Sequence, residues 1–372
     1  MKKKIIFITA TRADFGKLKS IISATKKSNK FKVHIVVTGM HVLKEFGNTY
    51  TEVTKSFGKN IIKFSNQKIG DNINKVLSNT INEFLNIFLK IKPDLIVYHG
   101  DRVETLAAAI VGSLNHLLTA HIEGGELSGT IDDTIRHTVT KLSHIHLVGN
   151  KKAYKRVLKM GEKKENVFII GSPDMDILFK KQPTINKVKK RYEINFNNYS
   201  ILIWHPVTSE IKSLRKSTFK LLKNLNKMSQ NYIVINPNND PGYKIILTIY
   251  RKYFKNKKFK FLKSMRFENF ISLLKNADYI IGNSSSAIYE APPLKIPSIN
   301  IGTRQNKRIK SNSILNLDIK NLNEKTISKY LNNHKPSKKI FYGEGDSSKK
   351  FLKRIMTEKF WKISTQKYFQ DN

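Results

Sequence analysis

The sequence predicts an α/β protein of two doubly wound parallel-sheet domains, and three observations carry that expectation. Short, almost uncharged apolar runs alternate with helical patterns. The alternation halts in a polar, lysine- and asparagine-rich stretch at 180–198 and then begins again. The 372 residues give room for two domains of ordinary size.

In the first half, strands are expected at 5–8, 33–37, 61–64, 95–98, 118–122, 145–148 and 167–170, with helices at 17–25, 73–91 and 103–114 between them. Continuous apolar strands of this kind belong to parallel sheets covered on both faces. In the second half, strands are expected at 201–204, 232–235, 259–262, 279–281 and 298–301. Helices fit 211–228, 243–253 and 267–275, and a last helix fits about 348–360. The expected division is 1–180, 181–350 and a terminal helical segment, 351–372, packing back on the first domain. Two such domains in series predict a ligand cleft between them, with ligand groups just beyond strand carboxyl ends.

Composition excludes several classes of function. Without cysteine there is no disulfide, thiolate metal site, iron–sulfur cluster or cysteine nucleophile. No uncharged apolar run reaches the length of a membrane span. The start, MKKKIIFITATRAD, reads as a strand and not a leader, so the cytoplasm is the expected location. The net charge of +40 raises nucleic acid or anionic membrane as a partner. The basic residues are nevertheless spread along the whole chain and no nucleic-acid module is present, so neither partner is expected.

The strand ends hold the chemistry. Arg12, in the turn leading from the first strand into a helix, suits a phosphate. His41 follows the turn after the second strand. Asp101 ends the fourth strand in His99-Gly100-Asp101-Arg102, placed to act as a base or to bind sugar hydroxyls. The fifth strand ends in His121-Ile122-Glu123-Gly124-Gly125-Glu126, with Asp132, Asp133, Arg136 and His137 close behind. Such clustered carboxylates can supply both an acid and a base, and the diglycine gives backbone room for a ligand. The nearby histidines lack metal-ligand spacing and read as structural, so no metal is expected. In the second half, His205 stands at a strand tip before Pro206. Gly282-Asn283-Ser284-Ser285-Ser286 opens a helix carrying Glu290, a phosphate cradle followed by a ribose-diol acceptor. Arg304, after the next strand, offers a second guanidinium.

The segments TATRADFG, TGMH, HGDR, HIEGGE, IDDTIRH, GSPD, WHPVT, NADYIIGNSSSAIYEAP and IGTRQNKR, in order over about residues 3–310, resemble the hydrolysing UDP-N-acetylglucosamine 2-epimerases of sialic acid synthesis. They look closest to bacterial forms, including those of legionaminic acid pathways. The resemblance implies a GT-B architecture of two Rossmann-like domains facing a central cleft. It implies anti elimination of the nucleotide to a 2-acetamidoglycal, then hydration with C2 inverted, giving free N-acetylmannosamine. Asp101, Glu126 and Asp132 are then the acid/base candidates. Arg12, His205, Ser284, Ser285, Ser286, Glu290 and Arg304 would hold the nucleotide. Asn283, beside the serines, and His41 complete the substrate-binding set. No cofactor is implied, and the partners are a UDP-sugar and further copies of the chain in a homodimer or homotetramer.

Thr11-Arg12-Ala13-Asp14, in place of the GTRPE-like turn of non-hydrolysing epimerases, and GDR in place of GDT favour the hydrolysing branch. HIEGGE stands where many hydrolysing members have HIHGGE, which sets Glu123 beside Glu126 as a catalytic candidate. The loop to Asp132 is about one residue short, so Asp132 and Asp133 both stay open. The nearest alternative is a hydrolysing 2-epimerase of UDP- or GDP-N,N'-diacetylbacillosamine. Beyond it stand a non-hydrolysing epimerase, a GT-B glycosyltransferase and a basic nucleic-acid-binding protein.

Overall fold

The computed structural model describes residues 1–58, 60–308, 311–336 and 342–371. They fall into two compact units. The first takes Met1–Glu126, Asp132–Lys180 and residues 342–371; the second takes Leu127–Ile131 and residues 181–336.

The first unit runs β1 (Lys3–Thr9), α1 (Arg12–Lys27), β2 (Phe31–Val37), α2 (Tyr50–Phe57), β3 (Ile61–Lys63), α3 (Ile73–Ile91) and β4 (Leu95–His99). It continues with α4 (Val103–Leu114), β5 (Thr119–Ile122), α5 (Ile131–Leu142), β6 (Ile145–Val148), α6 (Lys151–Lys159), β7 (Val167–Ile169) and α7 (Pro173–Leu178). The seven strands are all parallel, in the order β3-β2-β1-β4-β5-β6-β7. Every residue of β4, β5 and β6 is buried, because helices cover both faces. Successive side chains of β1 therefore enter two cores. Ile5 and Phe7 join Phe15, Leu18 and Ile22 of α1. Ile6 and Ile8 join Phe84 and Phe88 of α3 and Ala107, Ala108 and Ala109 of α4.

The second unit runs α8 (Ile185–Tyr192), β8 (Ser200–Ile203), α9 (Ile211–Lys227), β9 (Tyr232–Ile235), α10 (Tyr243–Arg251) and β10 (Phe259–Leu262). Then come α11 (Phe267–Lys275), β11 (Ile280–Gly282), α12 (Ser286–Tyr289), β12 (Ser298–Ile301), β13 (Ile314–Leu317) and α13 (Glu324–Asn332). Its six parallel strands are ordered β10-β9-β8-β11-β12-β13 around a core of Leu202, Trp204, Leu221, Val234 and Ile299.

Two last helices, α14 (Ser347–Ile355) and α15 (Glu358–Trp361), pack in the first unit, where Phe351, Ile355 and Phe360 join the core of Ile5 and Phe7. The single helix expected at 348–360 is thus two, parted at Met356–Thr357. Asp176 of α7 closes the start of α14, accepting from the N–H groups of Ser347 (2.7 Å) and Ser348 (2.8 Å). Among the described residues no helix is long and apolar enough to cross a membrane.

Candidate active site

In the first unit, β4 and β5 lie side by side with His99 opposite Ile122, so Asp101 and Glu123 leave neighbouring strand ends. Arg136 of α5 joins the loops that follow. Its side chain is 1 % exposed. Nη2 donates to Asp101, Nη1 lies 3.7 Å from Asp133, and Nη1 donates to the Glu126 carbonyl at 3.3 Å. A guanidinium withdrawn from water requires counter-charge and acceptors, and Asp101, one quarter exposed, supplies the nearest.

Glu123 sits just past β5 at φ +71°, a left-handed conformation costing a non-glycine residue about 1 kcal/mol. Strain of this kind collects at functional positions. Its carboxylate meets His99 Nε2 at 2.9 Å and Lys17 Nζ at 3.5 Å, and Lys17 reaches Asp174 at 3.7 Å. Glu126, 6 % exposed, accepts from Asn150 Nδ2 at 2.6 Å. Glu123 thus sits against an imidazole and a lysine, while Glu126 accepts from the Asn150 amide. Asp132 and Asp133 share the first turn of α5, where the helix dipole favours carboxylates. Asp133 also lies 3.6 Å from His137.

His121 is fully buried. Nε2 faces the Gly100 carbonyl at 2.8 Å and Nδ1 the Thr140 hydroxyl at 3.1 Å. A carbonyl only accepts, so Nε2 carries the proton. Burial holds the imidazole pKa down at about 3, keeping it neutral. It is a strut tying the residue before Asp101 to α5.

Three expectations need correction. The diglycine is not open to a ligand: a Cβ on Gly125 would stand 2.6 Å from the Ala153 carbonyl of α6. His41, expected in the substrate-binding set, is buried in the first unit. It is enclosed, with Thr9 Oγ1 at 3.0 Å from Nε2 and Thr49 Oγ1 at 2.6 Å from Nδ1, and burial lowers its pKa to about 3. The start of α1 is occupied by the chain itself. Asp14 accepts from the N–H groups of Ala10 and Thr11, both at 3.1 Å, while Thr11 Oγ1 accepts from Asp14 N–H. Arg12 lies 3.1 Å from Glu52 of α2.

In the second unit, Asn283 is the hub. Its amide clamps the His205 backbone, accepting from the N–H at 2.7 Å and donating to the carbonyl at 2.8 Å. Its own carbonyl accepts from Arg304 Nη1 (3.3 Å) and Gln305 Nε2 (2.8 Å). Asn283 thus builds the site, with its side-chain groups committed to protein. Gly282 makes the crossing possible: at φ +131°, its Cβ would fall 2.0 Å from the Ile203 carbonyl. His205 Nδ1 accepts from Asn238 N–H at 3.1 Å, which leaves Nε2 as the protonated nitrogen. Burial, with Arg304 nearby, holds this histidine neutral, well below its usual pKa. The N–H groups of Ser284 and Ser285 donate to no backbone carbonyl among the described residues. Ser284 Oγ accepts from Ser286 N–H at 3.3 Å. α12 is only one turn long and Glu290, 2 % exposed, is its C-cap rather than a residue within it.

Lys17, His99, Asn150 and Asp174 were not singled out from the sequence. His99 opens the HGDR segment and Asp174 closes the GSPD segment, and both were legible there; Lys17 lies on a helix, where a charged residue ordinarily marks a solvated face. Among the described residues no group of three or more His, Asp or Glu side chains is placed to hold a metal.

The family model described as UDP-N-acetylglucosamine 2-epimerase matches residues 23–356. The chain is similar to a UDP-N-acetylglucosamine 2-epimerase of Neisseria meningitidis serogroup B, 42% identical over 374 residues and 99% of each chain. It is similar to the GDP/UDP-N,N'-diacetylbacillosamine 2-epimerase (hydrolyzing) of Campylobacter jejuni, 35% identical over 334 residues, 87% of this chain and 86% of the relative. Its fold matches the Methanocaldococcus jannaschii UDP-GlcNAc 2-epimerase solved in complex with UDP-GlcNAc and UDP. There the TM-score is 0.79 at 22% identity, over 95% of this chain and 99% of that one. The two parallel-sheet domains are therefore GT-B-like. With the family model spanning most of its length and a relative aligned end to end, the chain belongs to the UDP-N-acetylglucosamine 2-epimerase family.

Proposed function

We propose that the chain is a hydrolysing 2-epimerase, converting UDP-N-acetylglucosamine and water to N-acetylmannosamine and UDP. The observation that carries this reading is the gathering of carboxylates at the carboxyl edge of the first sheet: Asp101 and Asp133 lie against Arg136, which also reaches the Glu126 backbone carbonyl, and Glu123 leaves the strand end beside Asp101.

Inversion at C2 requires a proton to leave one face of the sugar and another to arrive on the opposite face. A base takes the C2 proton as the C1–O bond to the diphosphate breaks, leaving a 2-acetamidoglycal and UDP. Water then adds its oxygen at C1, and an acid protonates C2 from the other side. Two differently held carboxyl groups suit this exchange. Asp101, charge-compensated by Arg136, and Glu126, beside Asn150, are the assigned pair, with Asp132 as the third acid/base group. Glu123 sits with His99 and Lys17 and is assigned to steadying the sugar.

In the second unit, the Nε2–H of His205, the Ser284–Ser286 turn and Arg304 are assigned to the diphosphate, and Glu290 to the ribose. Donors fixed before the ligand arrives cost little to organise. Arg12, engaged by Glu52, and His41, enclosed by two threonines, are assigned to building the first unit.

The hydrolysing form is supported by the Campylobacter relative, whose name carries that word, and by the Thr11-Arg12-Ala13-Asp14 turn closed by Asp14. That relative also favours a second reading, the N,N'-diacetylbacillosamine nucleotide as substrate. Proton NMR of the chain with each nucleotide-sugar tests both. Free N-acetylmannosamine from UDP-N-acetylglucosamine supports the first; release only from the diacetamido sugar supports the second. A product still linked to UDP would refute hydrolysis.

A further inference from the structure

We propose that Lys367, in the carboxy-terminal tail, is a positioning residue for this chemistry: by gripping the end of α5 it keeps Arg136 and Asp101 in register. The proposal rests on the carboxylate assignment above.

The last turn of any helix leaves carbonyls without partners and carries partial negative charge. At the end of α5 a cation from far along the chain answers both. Lys367 Nζ donates to the Lys141 carbonyl at 2.6 Å and to the Ser143 carbonyl. It also pairs with Glu162 at 2.7 Å. Glu162, 3 % exposed, is held as well by Lys141 of α5 and His146 of β6, each at 2.8 Å. Against the cost of burial, the hydrogen bond from His146, with Lys367 and Lys141 beside it, holds its carboxyl down at about 2.

The rest of the tail is fastened alongside. The Thr365 carbonyl accepts from His144 Nε2 at 3.0 Å. Gln370 N–H donates to the Gly161 carbonyl at 3.2 Å. The Phe369 ring lies over Gly161, close enough that a Cβ there would stand 2.6 Å away, and Lys141 Nζ sits 5.2 Å from that ring. Ordering an irregular tail opposes roughly 1 kcal/mol of backbone entropy per residue, and these contacts are what offset it.

The grip reaches the acidic cluster through α5. Thr140, next to Lys141, has its hydroxyl between the Arg136 carbonyl (3.0 Å) and His121 Nδ1 (3.1 Å). His121 in turn holds the Gly100 carbonyl, one residue before Asp101. Ser143 Oγ ties the same helix end to Tyr98 of β4 at 2.7 Å. Displacing the end of α5 therefore moves both partners of the Arg136–Asp101 pair.

The full-length Lys367→Met and Lys367→Arg variants test this, through steady-state sugar release and through amide hydrogen exchange. For Lys367→Met we expect kcat to fall about tenfold or more with KM within about twofold, since small misplacement of reacting groups has effects of this size. Faster exchange should be confined to residues 136–143 and to the tail around Lys367 itself. Lys367→Arg should restore most of both. If Lys367→Met fails to fold, Glu162→Gln, which removes one partner of the grip, should give a smaller loss of the same kind. A kcat within twofold of the parent, or faster exchange spread through the whole first unit, overturns the proposal. If the parent itself releases no free sugar, the functional reading fails, while the exchange result still judges the grip.

Discussion

At the scale of single residues, Asp101 and Glu126 differ in what they do besides chemistry. Glu126 accepts from Asn150, an uncharged partner that an amide can still satisfy by turning over. Glu126→Gln should therefore lower turnover about 100-fold or more, the usual share of a general acid or base, with melting temperature and UDP affinity near those of the parent. Asp101 also balances a buried guanidinium. Asp101→Asn should lose turnover and about 2 kcal/mol of stability, because breaking a largely buried pair strands the remaining charge. Calorimetry and urea unfolding of the two variants check the contrast. Equal stability losses would mean that Asp101 is not the main counter-charge of Arg136.

At the scale of elements, sequence periodicity located what hydrophobic burial dictates. α3, α4 and α11 begin and end where expected, because apolar spacing and polar flanks coincide there. α8 lay hidden in the polar stretch, since Val188 is its one buried residue. β13 is a four-residue apolar run set among serines and asparagines, α13 carries few apolar residues, and neither was foreseen. The break at Met356–Thr357 was hidden for another reason: apolar residues continue in helical spacing on both sides of it. The candidate site was legible only as a set of strand ends, because residues such as Asp101, Glu123 and His205 adjoin apolar runs. Partnerships were not. Nothing in local spacing tells Arg136 to choose Asp101, 35 residues away, or Lys367 to close α5.

Asp176 is an element-scale case of the same kind. It caps α14 from 171 residues away in sequence. Asp176→Ala should cost about 1–2 kcal/mol, as loss of a buried helix cap does. Asp176→Asn, which keeps an acceptor oxygen, should recover part of that. Urea unfolding measures both; no loss in the alanine variant would show that α14 is held by its apolar face alone.

At the scale of the whole molecule, stability should fall on the acid side of neutrality. His41 and His121 are buried and neutral, with pKa values of about 3, whereas in the unfolded chain each titrates near 6.5. Between those values the unfolded chain binds more protons, so stability rises with pH and is lost as pH drops from about 6.5 towards 3. Well inside that window each histidine contributes about 1.4 kcal/mol per pH unit. The urea midpoint should thus be lower at pH 5 than at pH 7, and equal midpoints would contradict the placement of these imidazoles.

Proton exchange at C2 by carboxylates of the first unit, as the bond to the nucleotide breaks, leaves an isotopic record in the product. NMR of the reaction with UDP-N-acetylglucosamine in deuterated water reads that record. Free N-acetylmannosamine carrying deuterium at C2 is expected, with UDP formed in equal amount. Free sugar with hydrogen retained at C2, or with the configuration of C2 unchanged, would contradict such an exchange.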